Sequence, residues 1–122
     1  MAHVIIADGD YGVLYLLKVL LNTLGWTYDA TTEGIDAWQK VQEAVPDLVM
    51  ADVNLSGMSG LELVLAIKSD PGLAHVPVVL MGTPENEAAA MAAGCDAFVA
   101  KPFGGQTILR LLPQLVREEP DD

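Results

Sequence analysis

Six residues along this chain carry groups able to act together: Asp8, Asp10, Asp52, Asn54, Thr83 and Lys101. Each ends or closely follows a short apolar run, in "VIIADGD" at 4–10, "LVMADVN" at 48–54, "VVLMGT" at 78–83 and "AFVAK" at 97–101. Taken singly, an aspartate after such a run is most often a turn or cap residue, and a lysine a surface charge. Brought together they acquire a specific chemistry. Crowded carboxylates raise one another's pKa unless a cation sits among them. An oxygen-only ligand set suits a hard ion such as Mg²⁺, which commonly takes one or two carboxylates plus waters and a phosphate. An aspartate can itself be a nucleophile that forms an aspartyl phosphate. A lysine and Mg²⁺ then neutralise the oxygens of the transferring group.

Only a particular order of elements brings residues so far apart into one place. Val4–Ala7 reads as a buried strand, Tyr11–Leu24 as a helix ended by Gly25, and Trp26–Thr31 as a second strand. Gly34–Ala44 follows as a helix with Ala37, Trp38 and Val41 inward, then Leu48–Asp52 as a strand and "NLSGMSG" at 54–60 as a loop. Leu61–Lys68 is a third helix, Val76–Met81 a fourth strand and Pro84–Ala93 an alanine-rich helix. Ala97–Ala100 is a fifth strand and Gln106–Val116 a last helix that Pro113 should kink or interrupt. Five strand–helix units in succession predict an α/β fold, a doubly wound parallel sheet with helices on both faces. Ligands of such sheets bind beyond the carboxyl ends of the strands, where these six residues would meet.

The chain has 122 residues and 52% hydrophobic content, enough for one domain with a real core. Six basic residues against seventeen acidic ones, a net charge of −11, exclude unaided binding to nucleic acid or an anionic membrane surface. No apolar run approaches the ~20 residues of a bilayer span. The N-terminus lacks a secretory signal pattern, and the lone Cys95 cannot form an internal disulfide, so a reducing, cytoplasmic setting is expected. Cys95, Trp26 and Trp38 read as packing residues, and nothing in the spacing pairs His3 with His75 as metal ligands. Residues 119–122 read as an acidic tail or linker stub after a domain spanning 1–118.

Three stretches in the right order resemble the receiver domain of two-component response regulators over nearly the whole chain: "VIIADGD", "PDLVMADVNLSGMSGLELVLAIK" and "AGCDAFVAKPF". The resemblance implies a five-stranded, flavodoxin-like, three-layer α/β/α fold. It implies Asp52 as acceptor of a phosphoryl group from the phosphohistidine of a sensor histidine kinase or phosphotransfer protein. It places Asp8, the Asp52 carboxylate and the Asn54 carbonyl around Mg²⁺, Lys101 on the phosphoryl group, and a cis bond between Lys101 and Pro102. The fourth-helix to fifth-helix face, including Ala88–Ala93, is where such domains dimerise or dock output partners; packing of those alanines against the sheet is the competing expectation.

The chain departs from the family pattern at instructive places. A second acid usually follows the first strand, where this chain has Gly9. Bending at Gly9 is one way for Asp10 to reach the ion. A Thr or Ser usually ends the fourth strand, where this chain has Gly82; Thr83 is adjacent, and substitutes only if the strand end is irregular. The segment from Gly82 to Lys101 is short by about one helical turn. Phe98 stands at the family's aromatic switch position, so Gly82, Thr83 and Phe98 form the expected switch set. The favoured reading is a phosphorylated receiver that signals by altered partner binding, with at most self-catalysed phosphotransfer and autodephosphorylation. The alternatives are a phosphorylation-independent binding module and, more remotely, a haloacid-dehalogenase-like phosphatase. In the last, Asp8 is the nucleophile, Asp10 the acid/base and Thr83 the second motif.

Overall fold

Alternation along each strand divides the core in two. In the computed structural model, which describes residues 1–116, five strands form one parallel sheet in the order β2-β1-β3-β4-β5. They are β1 (His3–Ala7), β2 (Thr27–Thr31), β3 (Leu48–Asp52), β4 (Val78–Gly82) and β5 (Ala97–Ala100). Successive side chains point to opposite faces. Val4, Ile6, Leu48, Met50, Val79 and Met81 therefore pack with α1 (Tyr11–Leu24) and α5 (Gly105–Leu115) on one side. Ile5, Val49, Ala51, Val78 and Leu80 pack on the other side with α2 (Gly34–Glu43), α3 (Gly60–Ser69) and α4 (Glu87–Ala93). With both faces covered, the central strands read as unbroken apolar runs. The doubly wound architecture expected from the sequence is the one observed.

Several elements differ in detail. The segment read as one helix from Pro84 is a 3-10 turn at Pro84–Asn86 followed by α4, which has only seven residues. This is where the short β4–β5 connection is trimmed. Pro113 does not interrupt α5, which runs on to Leu115; its missing N–H costs a single bond to the carbonyl four residues back, near the end of the helix. Of the alanine run, Ala90 is buried and Ala93 half-buried, while Ala88, Ala89 and Ala92 face solvent. Val116, read as the last residue of the final helix, is instead its C-terminal cap and is buried in the core. None of the described helices is long and apolar enough to cross a membrane. The acidic tail at 119–122 and the domain boundary at 118 lie outside the described residues.

Candidate functional site

In the order β2-β1-β3 the winding of the sheet reverses at β1, so the carboxyl ends of β1 and β3 flank a crevice. Asp8 follows β1 and is fixed by its own N–H, which donates to the Thr31 carbonyl at 3.1 Å. Asp52 ends β3. Lys101 follows β5, and its backbone N–H donates to the Gly82 carbonyl at 2.8 Å. Its side chain crosses the sheet edge, and Nζ donates to Asp8 Oδ2 at 2.6 Å and to Asp52 Oδ2 in a shorter contact. The other oxygens are also engaged. Asp8 Oδ1 accepts from the Asp10 N–H at 2.8 Å, and Asp52 Oδ1 from the Asn54 N–H at 2.7 Å. The Lys101–Pro102 peptide is cis.

Three segments separated by more than forty residues thus converge on one ammonium group. Asp8 is 1% exposed and is the only buried charged side chain among the described residues. Burial pushes its pKa up. The Lys101 hydrogen bond, the Asp10 N–H and the Lys101 charge oppose that rise, and the Asp52 charge adds to it. For Lys101, burial favours loss of the proton, but the hydrogen bonds and charges of Asp52 and Asp8 outweigh it and hold the pKa above its ordinary value.

Approach of α3 to the site depends on a missing side chain. A Cβ on Gly60 would lie 2.3 Å from the Asp52 carbonyl oxygen, so only glycine lets α3 start this close to Asp52. Ser59 and Glu62 form a reciprocal capping box there.

Asp10 does not join the acid cluster. Its carboxylate caps α1, with Oδ1 accepting from the Gly12 N–H at 2.7 Å and more weakly from Val13. Gly9 does not adopt a positive φ, so the loop does not use the freedom that would swing Asp10 toward an ion. Among the described residues no three His, Cys, Asp or Glu side chains form a metal-holding group. The two carboxylates that meet there, Asp8 and Asp52, are the hard oxygen donors that Mg²⁺ takes together with water. Thr83 is exposed, and its hydroxyl donates to Asn86 Oδ1 at 3.0 Å rather than to the Asp8–Lys101–Asp52 group. Phe98 is half-buried against the second core cluster. Cys95 is buried, and burial followed by the Asp96 charge pushes its thiol pKa up, as for an inert packing residue. A cavity of about 390 Å³ opens beside Lys101, lined also by Asp10, Val13, Leu16 and Phe103 but by neither Asp8 nor Asp52.

A parallel three-layer fold with a buried aspartate, a strand-end aspartate and a bridging lysine at the switch point defines a receiver-type α/β domain. The model of the response regulator receiver domain matches residues 4–112, and the chain belongs to that family. It is 27% identical over 125 residues to the phosphate regulon transcriptional regulatory protein PhoB of Rhizobium meliloti, covering 99% of this chain and 55% of that protein. It is 29% identical over 102 residues to the polar-differentiation response regulator DivK of Brucella ovis, covering 81% of this chain and 82% of that protein. The chemotaxis response regulator CheY4 of Vibrio cholerae superposes with a TM-score of 0.88 at 27% identity, covering 95% of this chain and 99% of that one. The chain thus spans little more than half the length of its PhoB relative.

Proposed function

We propose that this receiver domain accepts a phosphoryl group on Asp52 from the phosphohistidine of a sensor histidine kinase or phosphotransfer protein. The observation that carries the reading is Lys101 Nζ held between Asp8 and Asp52 at the carboxyl edge of the sheet. An Asp52 carboxylate oxygen attacks phosphorus, the P–N bond breaks, and the donor imidazole departs with the electron pair and takes up a proton. Lys101, kept protonated by its two carboxylates, follows the charge onto the phosphoryl oxygens. The Asn54 N–H on Oδ1 fixes the orientation of the Asp52 carboxylate. Mg²⁺, held by Asp8, Asp52 and the Asn54 carbonyl, supplies neutralisation of the same oxygens when bound. Loss of the Lys101–Asp52 pairing on phosphorylation alters the β4–α4 and β5–α5 loops, and the exposed face of α4 and α5 is the surface through which an output partner or a second copy reads the change.

The phosphatase reading has less support. Both Asp8 oxygens are engaged, the residue is buried, and Asp10 caps a helix instead of facing the cluster. The deciding experiment is intact-protein mass spectrometry after incubation with a small-molecule phosphodonor, with and without Mg²⁺, beside Asp52→Ala. A Mg²⁺-dependent phosphoryl adduct, absent in Asp52→Ala, is expected. A folded protein that takes no adduct while a control receiver reacts would leave phosphorylation-independent binding as the function.

A further inference from the structure

The end of β4 presents an unexplained gap in chemistry. Gly82 is buried, one residue beyond Met81, which pairs with Asp52 across β3 and β4, and its carbonyl holds the Lys101 backbone. With neighbouring strands about 4.8 Å apart, Gly82 therefore sits at the corner between nucleophile and lysine, yet offers no side chain. The space is not empty. A Cβ built on Gly82 would lie 2.7 Å from Asn86 Oδ1 and 3.4 Å from Asn86 Cβ. The Asn86 carboxamide, carried in by the 3-10 turn Pro84–Asn86, fills the place of the missing side chain.

Its orientation is fixed by chemistry. The Thr83 backbone N–H donates to the carboxamide at 3.1 Å and the Thr83 hydroxyl at 3.0 Å. A backbone N–H can meet only an acceptor, so the atom facing it is oxygen and the other is the Nδ2 amide. Nδ2 makes no hydrogen bond within the described residues. One carboxamide thus has its acceptor anchored to the strand end and its two donor hydrogens uncommitted, at the Cβ position of the residue that follows the strand partner of Asp52.

We propose that Asn86 is a phosphoryl-binding residue of this receiver. Its Nδ2 donates a hydrogen bond to a phosphoryl oxygen on Asp52, and the residue does from four positions downstream what a hydroxyl side chain at position 82 would do. The proposal rests on phosphorylation of Asp52. Lys101 meets one side of the phosphoryl group and Asn86 the side toward β4. Because Oδ1 is tied to Thr83, engagement of Nδ2 draws the Thr83–Asn86 turn, and with it the start of α4, toward Asp52.

The test compares phosphorylation rate and phosphoryl lifetime, with a small-molecule phosphodonor and Mg²⁺, in wild type, Asn86→Asp, Asn86→Ala and Asn86→Ala/Gly82→Thr. Melting temperature is followed for each. Asn86→Ala removes the donor without adding charge, and its rate falls about ten- to a hundred-fold, the worth of one hydrogen bond to a charged group. Asn86→Asp keeps an oxygen for Thr83, so the turn stays folded, but it exchanges the donor for a negatively charged oxygen, and its rate falls at least as far. In the double variant the threonine hydroxyl introduced by Gly82→Thr occupies the vacated space, and recovery toward the wild-type rate is the signature a merely structural role would not give. Wild-type rate and lifetime in Asn86→Asp, or a loss in Asn86→Ala that the double variant does not recover, overturns the role of Asn86 alone. A wild-type protein that takes no phosphoryl group overturns the Asp52 reading and this inference together.

Discussion

Replacing Lys101 with methionine should expose how much of the site's electrostatics rests on one ammonium group. The substitution keeps the aliphatic stem and leaves Asp8 and Asp52 facing each other without a cation. Removing one partner of a buried ion pair costs about 3–5 kcal/mol. Here the side chains of Lys101 and Asp52 retain 23% and 13% exposure, so water enters and the lower part of that range applies. An independent bound comes from proton uptake. The unpaired cluster can escape by protonating one carboxylate, whose ordinary value is 3.8. At about pH 7 that escape costs about 4.4 kcal/mol, and at about pH 5 about 1.6 kcal/mol, taking about 1.36 kcal/mol per pH unit. The variant is therefore expected to lose about 2–4 kcal/mol at neutral pH and no more than about 1.6 kcal/mol at the acidic one.

The sign follows from linkage. Asp8 already binds its proton more tightly in the fold than in the unfolded chain. Its ionisation therefore lowers stability as pH rises above 3.8, and the loss is complete above the raised folded value. Without Lys101 that rise is larger, so the acid window widens. Lys101 acts in the opposite range, with a contribution that is present below 10.5 and lost as pH climbs through its raised folded value. Urea denaturation in the absence of divalent cations, at the two acidic-to-neutral pH values, reads the difference directly. Lys101→Met/Asp8→Asn should remove most of the pH dependence. A Lys101→Met protein as stable as wild type at neutral pH, or equally destabilised at both values, refutes this electrostatic account.

Two further outcomes follow from the loop after β1. A Cβ on Gly9 meets nothing within 4 Å and the residue's φ is not positive, so Gly9→Asp should fold normally. An added carboxylate beside Asp8 should tighten Mg²⁺ binding by about tenfold or more, as one unit charge a few ångströms from a cation would, read by titration calorimetry. Asp10→Ala should cost about 0.5–2 kcal/mol through loss of the α1 cap, while Asp10→Asn, itself a good cap, should be nearly neutral. If Asp10→Asn instead abolishes Mg²⁺ binding with stability intact, Asp10 is a ligand and not only a cap.

The architecture was legible because its signals are local and repeated. Tyr11–Leu24, Leu48–Asp52 and Ala97–Ala100 have the boundaries that periodicity and composition predict. Strands buried on both faces betray themselves as apolar runs, and Gly25 closes α1 where the pattern stops. Legibility failed where a local rule met a positional exception. Proline breaks a helix by removing a donor and crowding the preceding turn, but Pro113 is placed where the helix is ending. Alanine-rich helices pack closely, but a seven-residue α4 has only one full alanine contact to give, at Ala90. Pro84 does start a helical segment, though a 3-10 turn and not the first turn of α4.

At the site, Asp8, Asp52 and Lys101 were readable because each sits at a strand end and strand ends of a parallel sheet converge. Asn86 was not, because its role depends on an absence elsewhere. Read position by position, Gly82 is a lost functional group, and Thr83 the nearest hydroxyl to replace it. The pleat argues against Thr83 on its own, and its hydroxyl indeed bonds Asn86 and not the Asp8–Lys101–Asp52 group. What sequence spacing cannot show is that a trimmed β4–β5 connection folds the turn back over the vacated Cβ. The only trace is Thr83 followed three residues later by Asn86, the spacing of a capping box. A cap normally satisfies backbone donors and nothing more. Here the cap also fills the space over Gly82, so in the proposed role of Asn86 the missing side chain at position 82 and the shortened α4 act as one feature and not two.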